Sequence, residues 1–507
     1  KIKKFTLFYF EKNRYASCLE NVQPDYNRSF PYNDLARRTI GFYDYKNKND
    51  KNNNSYGIEK SFDSLLTGKQ GSIKNYIGIH SKRLSKEEKK AESGADIILT
   101  LDMDLQDIVA NCLMEGIKIN DAERACAVVM EVETGEIKAM ANIGRGLTEK
   151  SIDEIDGGNM AITSCNELGS VFKIPSIMVA LENRIVTPFD SINAETTIYN
   201  VSDGRHRQKG KLPVWKIITE STNVGVANVI CDAYYNNQDA YIEQIKKMRF
   251  DAPMNLQLPY ARQPRIVKPT SKGDFSKRVI GYFNVPPIYM LRFYNAIANN
   301  GKMINPIVVK QVGNKKYSAE TVTNKICSDK TIRQVQDMLL QAVLTGTAKS
   351  YKSNAVLFAG KTGTADILSD GASQGTFCGY FPVDTINHKK PEYSCIVVMY
   401  KRTNNNLWGK ESCSVFKNIA EKITACKYKD KLSNKQKSEN PLFFKNSKND
   451  ITKIDIKNNT VPDIIGTGAR SAVYLLEKSG YIVQKINGMG TVKEVIRNGK
   501  YITLNLN

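Results

Sequence analysis

Histidine is nearly absent: the 507 residues hold three, His80, His206 and His388. None sits in a G-x-S-x-G or similar setting, which argues against a Ser-His-Asp hydrolase. A nucleophile in this chain must find another base. Long apolar runs are also missing. No stretch reaches the ~18 apolar residues that a membrane helix needs. The Phe5–Phe10 run is too short to span and lacks a signal peptide's cleavage pattern. C-x-x-C does not occur, and the ten cysteines, at 18, 112, 126, 165, 231, 327, 378, 395, 413 and 426, are widely spread. That argues against zinc and against a dense disulfide framework. Most read as small buried hydrophobes, such as Cys378 in TFCGYF and Cys395 in SCIVVMY. Acidic residues fall short of basic ones, 52 against 73, leaving a net charge of +21. Such a surplus steers a protein toward nucleic acid, acidic lipid or anionic wall polymer, or simply solvates its surface. No recognisable nucleic-acid motif accompanies it.

What is present is enough chain for about three domains at roughly 150 residues each. Its 41% hydrophobic and 25% charged content fits a globular protein. The chain opens on Lys1, so it reads as a piece of something longer, with room for an anchor upstream. Residues 1–90 are polar, Lys- and Asn-rich and loop-like, and Lys46–Asn54 (KNKNDKNNN) reads as a mobile loop. Ile97–Asp102 (IILTLD) reads as a buried strand. Leu105–Ile117 carries apolar residues at helical spacing. Ala125–Met140 reads as a hairpin turning on Glu-Thr-Gly. Gly375–Pro382 and Tyr393–Tyr400 are strand candidates, and Gln334–Leu344 and Ser414–Ile423 are amphipathic helices. Helices lying between early and late strand groups predict an α+β fold in which distant strands pair in one sheet. Residues 427–457, dense in Lys, Asn and Ser, read as a linker. From 458 onward a small module follows. Its VPDIIG turn precedes an amphipathic helix at Ser471–Ser479, then strands at Tyr481–Ile486 and Tyr501–Leu506.

Three local patterns carry chemistry. In Gly169-Ser170-Val171-Phe172-Lys173, a Gly precedes a Ser that opens an apolar helix. Ser and Lys three apart share a helical face, so the amine can reach the hydroxyl. A neutral lysine can take the proton as the serine attacks, and neutrality requires burial or a neighbouring cation. Pro175 falls in the first turn or so, where it is tolerated. S-x-x-K is weak by itself, for the chain holds a second copy, Ser414-Val415-Phe416-Lys417. That copy reads as structural: it lies mid-pattern in a helix whose apolar face is Val415, Ile419 and Ile423. The second pattern is Ser221-Thr222-Asn223, whose plain alternative is a helix N-cap. The third is Gly360-Lys361-Thr362-Gly363-Thr364-Ala365. A phosphate-binding loop would need Gly at 355, where Ala stands. The remaining readings are a turn between strands or a strand edge. At a strand edge Lys361 supplies charge, Thr362 a hydroxyl, and Gly363 close approach for a substrate backbone.

Taken together, Ser170, Ser221 at 51 residues downstream and Lys361 at 191 resemble the penicillin-binding protein and serine β-lactamase superfamily. The resemblance extends along nearly the whole chain. Ala36–Gly41 (ARRTIG), Gly57–Asp63 (GIEKSFD) and Leu66–Gly71 (LTGKQG) are similar to the pedestal of class B penicillin-binding proteins. Leu99–Gln106 is similar to the start of their transpeptidase domain. VPDIIGTGARSAVYLLEKSGY is similar to a PASTA domain. The combination looks most like the division-specific FtsI (PBP3) type or its sporulation relatives. It implies a partial pedestal at 1–92, a transpeptidase domain at 93–428, a linker at 429–457 and a PASTA domain at 458–507. The pedestal's usual Arg-Gly opening is missing, and the PASTA module ends in a shortened GKYITL strand.

The resemblance implies that Ser170 attacks the penultimate D-Ala carbonyl of a peptidoglycan stem peptide, with Lys173 as base. Ser221 relays a proton toward the leaving amine, and Asn223 holds the substrate amide and Lys173. Lys361 binds the substrate carboxylate and helps keep Lys173 neutral. Thr362, Gly363 and Thr364 line the substrate's backbone, and the N–H groups of Ser170 and Thr364 form the oxyanion hole. No metal or organic cofactor is needed. It further implies acylation by β-lactams and a SEDS glycosyltransferase partner of the FtsW type among the division proteins. It also implies an inner-membrane anchor outside this chain, with the catalytic domain extracytoplasmic. Two other readings stay open: a D,D-carboxypeptidase or β-lactamase, for which no deacylating base can be placed from spacing, and a non-catalytic wall-binding scaffold.

Overall fold

A computed structural model of the chain describes residues 31–43 (except 33), 55–77 (except 70), 83–146, 158–204, 208–367, 372–401 and 409–435. Toward the C-terminus it describes 464–465, 472–473, 476, 481–487, 492–498 and 500–506. Two compact units result, Lys1–Ser433 and Asn434–Asn507. The expected loop at Lys46–Asn54 and most of the expected linker lie outside the described residues.

The larger unit is organised by a sheet that joins both ends of its sequence. β1 (Ile97–Leu99) leads into α1 (Met103–Asn120), then β2 (Arg124–Glu131) and β3 (Ile137–Gly144) form the expected hairpin. Then come α2 (Lys173–Glu182), α3 (Asn223–Tyr234), α4 (Pro287–Ala298), β4 (Val309–Val312) and α5 (Asp329–Leu344). The late strands β5 (Ala359–Ile367), β6 (Ala372–Phe381) and β7 (Tyr393–Lys401) precede α6 (Gly409–Lys435). The main sheet has the order β5-β6-β7-β2-β3, every pair antiparallel. β7 lies against β2 with Val397 opposite Ala127, so strands about 270 residues apart pair as the α+β reading expects.

Side chains alternate across this sheet, and both faces are covered. Cys126, Val128, Met130, Ile396 and Val398 point into a core shared with α2, α3 and α4. Ala125, Ala127, Val129, Cys395, Val397 and Met399 point the other way, into a core with α1 and α6. Burial on both faces explains why these strands read as continuous apolar runs. α6 is the helix carrying the second S-x-x-K. Val415, Phe416, Ile419 and Ile423 are buried, and Lys417 reaches Glu421 one turn on at 3.8 Å.

Several expectations need correction. β1 stops at Leu99 and is not buried, since Ile98 is 50% exposed. Thr100 turns its hydroxyl onto Ile137 O at 2.7 Å, and Asp102 caps α1 by accepting from Asp104 N and Leu105 N. A capping carboxylate ends a strand as it begins a helix. The loop-like reading of residues 1–90 misses three short helices, Arg37–Ile40, Gly57–Ser61 and Asp63–Leu66, and the hairpin Ser72–Ile77/Arg83–Lys89. Helices of four or five residues are too short to show a period, and RLSKEEK carries no apolar alternation. The linker expected from 429 is still helical through Lys435.

In the smaller unit, β8 (Ile482–Asn487), β9 (Val492–Asn498) and β10 (Tyr501–Leu506) form a sheet in the order β8-β10-β9. Ile464, Ala472, Leu476, Tyr481, Val492, Ile502 and Leu504 make its core. β9 escaped the sequence reading because a register shift between Val492 and Glu494 breaks its alternation.

One buried charge braces the floor beneath α2. Arg292 on α4, fully buried, donates to Asn305 Oδ1 (2.7 Å), Phe250 O (3.1 Å) and Ala252 O (2.8 Å). Phe250 in turn packs edge-on against Phe172, just before α2, with centroids 5.1 Å apart. Arg292→Met strands those buried carbonyls, and urea denaturation is expected to register a loss of about 3 kcal/mol.

Candidate active site

The nucleophile candidate sits on a tight turn rather than in the helix proper. Gly169–Phe172 is a 3₁₀ turn, and α2 starts at Lys173, with Pro175 in its first turn as expected. Gly169 has φ +68°, and a Cβ there would lie 2.2 Å from Thr364 O. Only glycine permits that conformation together with that approach, which brings the backbone on either side of Ser170 against β5. Buried hydroxyls fix the turn from behind. Tyr294 donates to Val171 O at 2.9 Å, and Ser176 Oγ donates to Val279 O at 2.8 Å and lies 2.7 Å from Tyr241 Oη.

Lys173 is fully buried, and its Nζ donates to Ser221 O at 2.6 Å and, at a longer 3.5 Å, to Ser221 Oγ. Ser221 has φ +61°, a left-handed conformation unusual outside glycine. That conformation sets its carbonyl and hydroxyl toward the same amine. Among the described residues no hydrogen bond joins Lys173 to Ser170; the amine is held by the Ser221 carbonyl. Catalytic hydrogen bonds commonly tighten only with substrate in place. The N-cap alternative for the second pattern is also realised, one residue on: Thr222 Oγ1 accepts from Gly225 N at 2.9 Å at the start of α3. Asn223 does not hold Lys173. Its Nδ2 donates to Ser202 O at 2.8 Å.

Lys361 lies on β5, which disposes of the phosphate-loop alternative and the turn alternative together. It too is fully buried, and its Nζ donates to Thr362 O at 3.1 Å and Thr362 Oγ1 at 3.3 Å. Thr362 Oγ1 in turn meets Thr347 Oγ1 at 2.9 Å. Gly363 packs where a Cβ would fall 2.3 Å from Leu168 O. Thr364 is half-buried, and its hydroxyl accepts from Gly409 N at 3.0 Å, tying β5 to the start of α6.

Burial dominates the electrostatics. It draws the Lys173 ammonium down to about 7, against the opposing pull of the Asp203 carboxylate. Burial likewise takes Lys361 well below its usual range, helped by the charge on Lys173 and opposed by Glu220. Desolvation is the leading cause at both amines, and the repulsion between Lys173 and Lys361 adds to it. Two cations enclosed together cannot both stay charged cheaply, so one neutral amine beside one cation is the natural pairing. Such a site offers a hydroxyl on a rigid turn, a neutral amine and second hydroxyl behind it, and a threonine-lined strand edge in front. That set suits acyl transfer through a covalent serine. Sequence reasoning missed Asp203, Thr347 and the brace from Tyr294 and Ser176. None has a local motif, since each acts from a distant segment.

Comparison with known proteins agrees with this geometry. The penicillin binding protein transpeptidase domain family matches residues 125–423. Peptidoglycan D,D-transpeptidase FtsI of Buchnera aphidicola subsp. Baizongia pistaciae is 27% identical over 429 residues, which are 80% of this chain and 71% of that protein. Penicillin-binding protein PbpB of Mycobacterium tuberculosis is 25% identical, over 78% of this chain and 61% of that protein. The crystal structure of penicillin-binding protein 3 from Mycobacterium tuberculosis complexed with aztreonam superposes with a TM-score of 0.63. It has 23% identity and covers 79% of this chain and 90% of that one. That last likeness establishes the fold.

Burying Lys173 destabilises the folded state. Its folded value of about 7 lies below the usual 10.5, so the cost is full below pH 7 and fades as pH rises toward 10.5. Lys173→Met is expected to raise stability by a few kcal/mol, on the order of 3–5, at pH 6, the gain shrinking by pH 10. Chemical denaturation at the two pH values measures it.

Proposed function

This chain belongs to the penicillin binding protein transpeptidase family, and on that footing we propose that it is a peptidoglycan D,D-transpeptidase acting through an acyl-enzyme on Ser170. The observation that carries the reading is the enclosed Lys173 amine, drawn to about 7 and bonded to Ser221, one turn from Ser170. Neutral Lys173 accepts the Ser170 proton as Oγ attacks the penultimate D-Ala carbonyl of a stem peptide. The N–H groups of Ser170 and Thr364 stabilise the oxyanion, a contribution typically worth ~10²–10³ in rate. Ser221 passes the proton to the departing terminal D-Ala. Lys361, with Thr362 and Thr364, holds the substrate carboxylate, while Asn223 and the backbone at Gly363 align the peptide. An amine of a second stem peptide then attacks the ester, releasing Ser170 and forming the cross-link. A β-lactam acylates the same hydroxyl.

The same proposal extends to the chain's setting. Residues 1–92 serve as a partial pedestal, 93–428 as the transpeptidase domain and 458–507 as a PASTA module beyond the linker at 429–457. A septal role, with a SEDS glycosyltransferase of the FtsW type and other division proteins as partners, is supported by similarity to proteins named FtsI. The catalytic domain works outside the inner membrane, held by an anchor beyond this sequence. Among the described residues no helix is long and apolar enough to cross a membrane.

Fluorescent penicillin tests the reading on denaturing gels. Wild type and Ser414→Ala are expected to carry a label that survives denaturation for hours, and Ser170→Ala to carry none. A label lost within minutes favours the hydrolase alternative, and no label on folded wild type favours the scaffold. Acylation should also follow the neutral fraction of Lys173, so its rate at pH 6 is expected to be about tenfold below that at pH 8. Stopped-flow labelling across that range measures it.

A further inference from the structure

The loop Ser202–Asp203 reaches the catalytic centre from a segment with no motif of its own. Asp203 Oδ1 accepts from the backbone N–H groups of Asn223 and, at 3.4 Å, Val224, the first residues of α3. Beside it, Ser202 O accepts from Asn223 Nδ2 at 2.8 Å. The two neighbours thus grip the backbone and side chain of the same residue. That residue follows the Ser221–Thr222 turn, whose left-handed serine points its carbonyl at Lys173 Nζ. Asp203 is also the carboxylate whose charge is felt at the buried amine, where it opposes desolvation. Among the described residues the other charged groups of this centre are Lys361, from β5, and Glu220, at the end of the short helix Val214–Thr219, which acts on Lys361.

We propose that Asp203 is a positioning residue for the acyl-transfer step, clamping the Ser221–Asn223 turn against Lys173 and serving as that amine's half-buried counter-charge. Two consequences separate these roles. As a clamp, Asp203 acts through an acceptor oxygen, which asparagine or serine can replace, since both cap helix N-termini well. As a counter-charge it needs its ionised carboxylate, which neither supplies. Without that charge the amine loses its proton more readily, so neutral Lys173 persists to lower pH. The mechanism gains tolerance of acid and loses some basicity of its proton acceptor.

The proposal rests on the acyl-transfer reading, which labelling of wild type and its loss in Ser170→Ala test separately. The experiment measures the second-order rate of fluorescent-penicillin acylation from pH 5 to 9 for wild type, Asp203→Asn and Asp203→Ser, with thermal unfolding as a check on folding. The second variant guards against a folding failure of the first. The expected result is that the acid limb of the profile moves down by about one pH unit in the neutral variants. Their plateau should fall severalfold as a weaker base takes over. An acid limb that coincides with wild type overturns the counter-charge role, whether the plateau falls or not. So does a limb that moves upward.

Discussion

Everything in the catalytic unit follows from burying two lysine amines close enough to feel each other's charge. An ammonium group taken from water loses hydration that a protein seldom replaces in full. Lys173 and Lys361 are both fully buried, and carbonyl or hydroxyl oxygens are what they bond. The usual remedy for a buried cation is a carboxylate at contact distance. Here Asp203 and Glu220 act on the two amines without forming an ion pair with either among the described residues. The centre is therefore under-neutralised, and its cheapest state is one proton fewer. The amine left without that proton is the base an acyl-transferring serine requires, in a chain with three histidines, none near Ser170 in the sequence.

Holding so costly an arrangement demands rigidity around it, and the fold supplies that from several directions. The five-stranded sheet is buried on both faces, and β5 pairs along its length with β6, which is packed into both cores. Backbone meets backbone at Gly169 and Thr364, and at Gly363 and Leu168, where any side chain would collide. Tyr294, Ser176 and Tyr241 lock the turn that bears Ser170, and Arg292 holds the backbone of Phe250, whose ring packs against Phe172. Strain sits where it is useful: Ser221 keeps a left-handed backbone because the Thr222 cap and the grip on Asn223 hold the turn on both sides.

The sheet strands and long helices were legible because their apolar residues repeat along the local chain. Even the pairing of early with late strands could be read, from the order of the elements. The three catalytic patterns were legible because glycine, serine, threonine and lysine recur at spacings that favour one chemistry. Contacts between distant segments left no such trace. Nothing in VSDG marks Asp203 as a partner of α3 twenty residues on, and nothing around Thr347 marks its hydroxyl contact with Thr362. The sequence also misassigned one contact, giving Lys173 to Asn223, whose amide bonds Ser202 O. Side-chain reach alone does not reveal that a left-handed Ser221 carbonyl bonds the amine.

The central claim is that Lys173 is largely able to shed its proton near neutral pH while the protein is folded. Direct titration tests it: NMR of protein labelled at its lysine side chains, followed from pH 5 to 11, with the signal assigned by its loss in a Lys173 substitution. The account predicts a Lys173 signal that titrates with a midpoint near 7. A midpoint close to the ordinary 10.5 would contradict it, for the amine would then be a cation at every pH where the serine is expected to react.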